Sequence, residues 1–149
     1  MALGPRCDHR SADPSAAVEA AAEALVLVWG RAQEALPQPV SGSQLRALLV
    51  IDSAGEINLN GLAEELGAIP SSASRLCDRL QAAGLLTRAA GRTDRREVVL
   101  SLTADGHNLL QTMRAARRTD IGKVLAAMSA ADRAALLAGL TAFRAATDR

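Results

Sequence analysis

The segment 84–106, GLLTRAAGRTDRREVVLSLTADG, is the part of the chain that most constrains its fold. Two apolar stretches flank a polar tip that contains glycine, which is the pattern of a β-hairpin. The hairpin follows directly on a short helical stretch, SSASRLCDRLQAAG, which begins with small polar residues. A helix followed by a strand pair with an arginine-rich tip is typical of a winged helix-turn-helix, which can place the helix in one DNA groove and the hairpin in the next.

The composition predicts one mainly helical domain with this small antiparallel hairpin. The chain has 149 residues, of which 49% are hydrophobic and 22% are charged, as in proteins with a packed core. Trp29 and Phe143 are its only aromatic residues, so the core must be aliphatic and rich in alanine, which favours helix. The sequence lacks a secretory signal and an apolar run of about 18 residues, and we expect a cytoplasmic protein.

The charge distribution is more informative than the net charge. The whole chain carries a formal charge of +1, which does not argue for nucleic-acid binding. Residues 70–97, however, hold six arginines against three acidic residues. A local basic face of this kind is sufficient to hold phosphates on a protein that is nearly neutral overall.

Apolar residues at three- and four-residue steps predict long helices on both sides of a lobe of shorter elements. We expect a flexible arm at 1–13, then a single domain at 14–149 with terminal helical regions at 14–36 and 104–147 and the lobe at 41–103. The predicted elements of the lobe are a helix capped by Ser41 or Ser43, a strand at Ile57–Leu59, a helix that Asn60 caps and Gly67 ends, a helix from Pro70 to Gly84, and strands near 85–89 and 97–102. Thr103 then caps a long helix, and Ser129 with Asp132 begins the last one.

The terminal helical regions are too apolar to remain in solvent. A second copy of the chain is the simplest partner for them, and it would give a two-fold symmetric dimer. Packing of the two regions against each other within a monomer is the alternative.

The helix that starts at Pro70 is the predicted recognition helix. In a helix-turn-helix the first residues of the second helix lie nearest to the base edges. The candidates are Ser71, Ser72, Ser74 and Arg75, with Arg79 one turn later. Arg75 is favoured for base readout because a guanidinium can bond O6 and N7 of guanine together. The serines could instead be ordinary helix-start residues, and for Arg79 a solvated or ion-paired role is equally open.

The tip of the hairpin supplies a second group of candidates. Four arginines lie within nine residues, namely Arg88, Arg92, Arg95 and Arg96. An arginine inserted into a narrow minor groove gains from the focused negative potential there. We expect Asp94 to orient Arg95 or Arg96. Arg88 and Arg92 are expected to meet phosphates, which sets the register without reading sequence.

The runs QLRALL (44–49) and NLNGLAEELGAIPSSASRLCDRLQAAGLLTRAAGRTDRREVVLSLTADG (58–106) resemble the MarR family of bacterial transcription regulators. The most specific part is Asp94-Arg95-Arg96 followed by the stretch 99–103 and Gly106. The resemblance implies a homodimer with intertwined terminal helices that binds a roughly palindromic operator, usually as a repressor relieved by a small ligand or by oxidation. A further acid that often precedes the aspartate of the wing is missing here.

The resemblance also implies a ligand pocket where the dimer helices meet the DNA-binding lobe. Trp29 is the candidate for its aromatic wall, and Arg46 and His107 are the candidates for its polar anchors. Trp29 could equally be part of the dimer core, and His107 could be a solvated residue of the first helical turn.

The two cysteines and two histidines give little support for redox or metal chemistry. Peroxide sensors of the family place a cysteine in the first helix beside tyrosines, whereas Cys7 lies before that helix and the chain has no tyrosine. Cys77 is expected to be a small core residue. His9 and His107 cannot form a zinc site without further ligands, so no metal or cofactor is expected.

The sequence therefore predicts a sequence-specific DNA-binding transcription regulator, a homodimeric repressor whose partners are duplex DNA, a second copy and a small effector. The alternative is a winged-helix module for protein interaction or dimerisation without DNA binding, against which the arginine-rich wing argues. Paired carboxylates and nucleophile–histidine spacings are missing from the sequence, so we do not expect an enzyme.

Overall fold

The structure of the protein, a computed structural model, describes residues 13–34, 36–91 and 97–147. Its elements in chain order are α1 (Pro14–Arg31), α2 (Gly42–Ala54), β1 (Ile57–Asn58), α3 (Leu59–Leu66), α4 (Pro70–Ala82), β2 (Leu86–Ala90), β3 (Val98–Leu102), α5 (Ala104–Ala126) and α6 (Ala130–Thr147). The predicted mainly helical fold with an antiparallel hairpin is confirmed. The predicted arm, with Cys7 and His9, lies outside the described residues except for Asp13. Across the described ranges, none of the helices has the length and hydropathy needed to cross a membrane.

The first helix is shorter than predicted. Asp13 caps it by accepting a hydrogen bond from the Ser15 N–H at 3.0 Å, and Pro14 occupies the first helical position. The helix ends at Arg31 rather than near residue 36, because the chain turns there to bury Ala32 in the core of the lobe. The side chain of Gln33 holds this turn by donating to the carbonyl of Val40 at 2.8 Å.

The helix starts within the lobe follow local capping chemistry, with one correction. Ser41 and Gln44 form a complete capping box at the start of α2. For α3 the predicted cap, Asn60, is wrong, since the helix begins at Leu59 and Asn60 is already inside it. The cap is Asn58, because its backbone is still extended and its Oδ1 accepts from the Gly61 N–H at 2.8 Å. The strand β1 therefore ends at Asn58, one residue earlier than predicted.

The three strands form one antiparallel sheet in the order β1-β3-β2. In the central strand, Leu100 lies opposite Ile57 of β1 and Arg88 of β2. Leu86, Leu100 and Leu102 are buried, so one face of the two hairpin strands is part of the core.

The core of the lobe is aliphatic, as the composition predicts. It unites α2, α3, α4, the sheet and the first half of α5, and its largest fully buried side chains are Leu48, Ile51, Leu62, Leu80, Leu85, Leu86, Leu100, Leu110, Met113 and Cys77. Two glycines allow the tight connections. Gly84 has a positive φ of 74° after α4. Gly106 lies so close to Leu85 that an added Cβ would sit 2.3 Å from the Leu85 carbonyl oxygen.

The two terminal helices differ from the lobe in their burial. Thr103 caps α5 by accepting from the Gly106 N–H at 3.0 Å, and Ser129 accepts from the Asp132 N–H at 3.1 Å at the start of α6, so both predicted caps are confirmed. None of the residues described in α1 or α6 is buried. Their exposed large apolar residues include Val18, Val26, Leu27 and Trp29 of α1 and Leu136, Leu137, Leu140 and Phe143 of α6.

Candidate nucleic-acid interface

The helix-turn-helix consists of α3, a short turn and α4. Gly67 ends α3 in the left-handed conformation, with φ 62° and ψ 34°. Pro70 begins α4 at a position where its missing N–H has no intrahelical partner to lose. Ala73, Cys77 and Leu80 bury one face of α4 against the core. The opposite face of the helix is therefore held outward in a defined orientation.

That outward face carries most of the predicted recognition residues. Ser71, Ser72, Arg75 and Arg79 are exposed, and Ser74 is half-buried. Because α4 rotates about 100° per residue, Ser72, Arg75 and Arg79 fall along one strip of its surface. The helix thus presents short hydroxyls near its start and guanidinium groups further along.

An open groove runs between the start of α2 and the exposed face of α4. It has a volume of about 620 Å³, and its lining includes Ser43, Arg46, Ser72, Arg75 and Arg79. Arg46 also approaches the carbonyl of Glu65 at the end of α3, at 3.5 Å. Three arginines from two helices thus line one open surface, and guanidinium groups suit both phosphate oxygens and the acceptor edge of guanine.

This groove gives Arg46 a position that the sequence reasoning missed. The residue was predicted as a ligand anchor, yet it shares the groove with the recognition helix. Its position at the first turns of α2 and the packing of α2 against α3 and α4 bring it there. An arginine near the start of the helix before a helix-turn-helix was the available sequence signal.

The hairpin is described up to Gly91 and from Glu97 onward. The Gly91 N–H donates to the Glu97 carbonyl at 2.7 Å, which closes the strand pair below the tip. The predicted tip residues Arg92, Asp94, Arg95 and Arg96 lie outside the described residues. Their role in minor-groove binding therefore stays a prediction.

Arg88, which was predicted to meet phosphate, is half-buried and turned toward α4. Its Nη2 donates to Asp78 Oδ1 at 2.7 Å and its Nη1 donates to Gln81 Oε1 at 2.9 Å. Next to the start of β3, the Nδ2 of Asn58 in β1 donates to the carboxylate of Glu97. The sequence reasoning did not identify Asp78, Gln81 or Asn58 as parts of the wing's surroundings.

The candidate ligand residues have three different sets of partners. Trp29 of α1 stacks on Arg117 of α5, with the guanidinium carbon 4.2 Å from the ring centroid. His107 Nδ1 lies 3.1 Å from Asp52 Oδ1, ten residues or about 15 Å along α5 from Arg117. Arg46 lies in the groove described above. The structure thus places these three residues at separate positions.

Burial and ion pairing change the pKa values of three groups near these positions. The hydrogen bond from Arg114, at 2.7 Å, lowers the pKa of Asp52. Burial against Trp29, together with the nearby Arg114 charge, lowers the pKa of Arg117. Cys77 is a buried core residue, as predicted, and this burial raises the pKa of its thiol.

An exposed polar helix face held outward by its buried side, a turn before it and a hairpin after it define a winged helix-turn-helix protein of the DNA-binding type. The model of the MarR family matches residues 38–97. The chain belongs to the MarR family of transcriptional regulators.

Individual relatives support this assignment. The crystal structure of RV1404 from Mycobacterium tuberculosis has 32% sequence identity and a TM-score of 0.84, with 98% of each chain covered. The HTH-type transcriptional regulator YfiV of Bacillus subtilis is 26% identical over 112 residues, which are 75% of this chain and 70% of YfiV. The HTH-type transcriptional repressor MdtR of Bacillus subtilis is 30% identical over 88 residues, which are 59% of this chain and 57% of MdtR.

Proposed function

We propose that this transcriptional regulator is a homodimeric repressor that binds a palindromic operator and is released from it by a small ligand. The observation that carries the proposal is the division of α4 into two faces. Ala73, Cys77 and Leu80 anchor one face in the core, while the other lines an open groove with Arg75 and Arg79. A helix held in this way can enter the major groove without a change in the lobe.

The candidate residues other than Arg88 each have a proposed role in this contact. Arg75 reads a guanine, and Arg79 and Arg46 bind phosphates on either side of the groove. Short hydroxyls at the start of the helix, those of Ser71, Ser72 and Ser74, allow the backbone to approach the duplex. We propose from the sequence that the tip residues Arg92, Arg95 and Arg96, oriented in part by Asp94, bind the neighbouring minor groove.

The terminal helices provide the dimer in this proposal. The exposed apolar residues of α1 and α6 are more numerous than solubility favours, and a second copy would cover them. A two-fold axis between the copies would place two α4 helices on successive major grooves, which is why a palindromic operator is expected. Substitution of Leu137 by Asp should then shift the protein to monomer in sedimentation equilibrium. A wild-type chain that sediments as a monomer contradicts this part.

Repression is proposed from a relative of the chain, and ligand release from two side-chain contacts of α5. The relative MdtR is described as a repressor. The contact between Trp29 and Arg117 links α1 to α5, and the His107–Asp52 contact links α5 to the lobe. A ligand that binds near either contact could change the spacing of the two lobes. We place the protein in the cytoplasm, where such a regulator meets DNA.

DNA binding is tested with a labelled duplex from the region upstream of the protein's own coding sequence, titrated at several salt concentrations. We expect a slope of log K against log salt of about −0.9 for each phosphate that is neutralised. Arg75→Ala should relax the preference at one base pair in each half-site, and Arg96→Ala should weaken binding by about 1 to 3 kcal/mol. Arg144→Ala, which removes an exposed arginine of α6, is the matched control. It should change neither the base-pair preference nor the binding affinity.

Two results would count against the proposal. A wild-type protein that shifts no duplex at moderate salt favours a winged-helix module for protein interaction. An equal loss at every base pair in Arg75→Ala reduces Arg75 to a phosphate contact.

A further inference from the structure

We infer that the wing is held at a fixed position on the helix-turn-helix by two polar links, one from each strand, and that Arg88, Asp78, Asn58 and Glu97 are positioning residues for DNA recognition. The inference rests on the proposed function, because it concerns how the wing tip and α4 engage one duplex together. It assigns Arg88 a role other than the phosphate contact that its place in a basic hairpin suggests.

The first link runs from β2 to the recognition helix. Arg88 donates from Nη2 to Asp78 and from Nη1 to Gln81, at 2.7 and 2.9 Å. Asp78 and Gln81 lie three residues apart on α4 and so share one side of the helix. A planar guanidinium that bonds two acceptors on one helix fixes the strand in direction as well as in distance. Arg88 is also the less exposed partner, with 30% of its side chain exposed against 58% for Asp78.

The second link joins Glu97, the residue before β3, to Asn58, which ends β1 and caps α3. Asn58 uses both ends of its amide, since Oδ1 caps α3 by accepting from the Gly61 N–H and Nδ2 donates to the Glu97 carboxylate. Glu97 also closes the hairpin through its carbonyl, which accepts from Gly91. The same residue that begins the helix-turn-helix thus holds the base of the wing.

The two links restrain the hairpin on both of its edges. The face of the sheet packs on the core, but the outer parts of β2 and β3 are largely exposed, so packing alone restrains them weakly. With both links formed, less freedom is lost when the tip and α4 bind the same duplex. The links should therefore contribute to affinity without touching DNA.

The first experiment separates positioning from phosphate contact through Arg88→Met, Asp78→Ala and the double variant. The probe is the labelled duplex from upstream of the coding sequence. If Arg88 acts through Asp78, each single change and the double change should weaken binding by the same factor, roughly 3- to 10-fold, with an unchanged salt slope. The result for Asp78→Ala is the sharpest, because removing a negative charge beside DNA would otherwise strengthen binding.

A phosphate contact by Arg88 gives the opposite pattern and would overturn the first link. Arg88→Met would then reduce the salt slope by about 0.9, and Asp78→Ala would strengthen binding by releasing the guanidinium. Glu64→Ala is the matched charge control, since it removes an exposed carboxylate from α3 and should not weaken binding. Arg75→Met is the control for loss of a DNA contact. Thermal unfolding of each variant shows whether the lobe remains folded.

The second experiment exchanges the donor and the acceptor of the other link. Asn58→Asp keeps the capping oxygen, since Asp and Asn cap helices equally well, but it places two carboxylates face to face. We expect it to weaken binding roughly 3- to 10-fold. Glu97→Gln retains an acceptor for Asn58 and should change binding little. The double variant, in which the Gln amide donates to Asp, should restore wild-type affinity.

Long-range charge alone would also restore affinity in the double variant, but it makes a different prediction for Glu97→Gln. That single change would then strengthen binding by the factor that Asn58→Asp loses, and this result would overturn the second link. A wild-type protein that fails to bind any duplex removes the proposed function, and the inference with it. Wild-type binding with either contrary pattern removes the inference alone.

Discussion

The lobe and the terminal helices carry similar apolar residues, but these residues are buried in the lobe and exposed in the terminal helices. In the lobe, Leu48, Ile51 and Leu62 are fully buried. In α6, Leu137 and Phe143 are 69% and 62% exposed. Apolar periodicity predicts a helix in both regions, but it does not tell which surface will cover the apolar face.

The difference in burial indicates which contacts stabilise each region. The lobe buries its apolar face within one chain, so its free energy of unfolding should not depend on protein concentration. The terminal helices expose theirs, so any stability they gain from a second copy should rise with concentration. Helix α5 belongs to both regions, because it is buried up to Met113 and exposed at Val124.

The largest effect is expected for a truncation in the lobe. Leu48→Ala should lower the free energy of unfolding by about 2 to 5 kcal/mol, because it leaves a cavity among fully buried neighbours. Urea denaturation at two protein concentrations measures this loss, which should be the same at both. The matched change in α6 is Leu140→Ala, whose loss should be small at low concentration and grow as the concentration rises. Equal behaviour of the two variants would contradict the comparison.

A substitution at the junction of the two regions should have the next largest effect. Gly106→Ala should cost about 1 to 3 kcal/mol, since its Cβ would overlap the backbone of Leu85 and force α5 away from the hairpin. Gly122→Ala, in the same helix but with open space around it, should instead stabilise the protein by about 0.5 to 1 kcal/mol. Calorimetric unfolding of both variants gives the comparison. A stabilising Gly106→Ala would mean that the close approach does not hold.

The ion pair between α2 and α5 should have a smaller effect that depends on pH. Asp52→Asn should cost about 1 kcal/mol at neutral pH, because the bond from Arg114 is charge-assisted and only partly shielded from solvent. The pKa of Asp52 is lower in the folded protein than its ordinary value of 3.8. This stabilisation is therefore fully present above pH 3.8 and is lost as the pH falls through the folded value.

Urea denaturation of wild type and Asp52→Asn across the acid range measures this contribution. The difference between them should shrink on acidification. Arg114→Met should remove most of this difference, since the bond from Arg114 is the main cause of the lowered pKa of Asp52, while the contact with His107 remains. A difference that widens toward acid pH would refute this account of the pair.

The smallest effect is expected when the native protein is treated with a disulfide reagent, because Cys77 should react slowly. Its thiol is buried and its pKa is raised by that burial, so a disulfide reagent should react only as fast as the lobe opens. The measurement uses a Cys7→Ser variant, so that the signal comes from Cys77 alone. Glu64→Cys in that background adds an exposed thiol to the same lobe and should react at once. Fast reaction of native Cys77 would contradict its assignment to the core.

Much of the fold could be predicted from local patterns. The capping residues Ser41 and Thr103, the ends at Gly67 and Gly84, and the hairpin all depend on neighbours within a few positions. The same holds for the outward face of α4, since helical spacing alone puts Arg75 and Arg79 together. The prediction of Asn60 as the cap of α3 was wrong because Asn58 can cap a helix equally well, and the extended backbone at Asn58 makes it the cap.

The sequence by itself determined the order of the elements, the basic character of α4 and the membership in the MarR family, because each depends on residues close together along the chain. Only the tertiary structure decided that Arg88 binds Asp78 and Gln81, that Asn58 holds Glu97, and that Asp52 pairs with Arg114. The residues of these four pairs lie between 7 and 62 positions apart in the sequence. A polar side chain forms a hydrogen bond with whichever acceptor the packed fold brings within about 3 Å. The residues close to it in the sequence do not specify that acceptor.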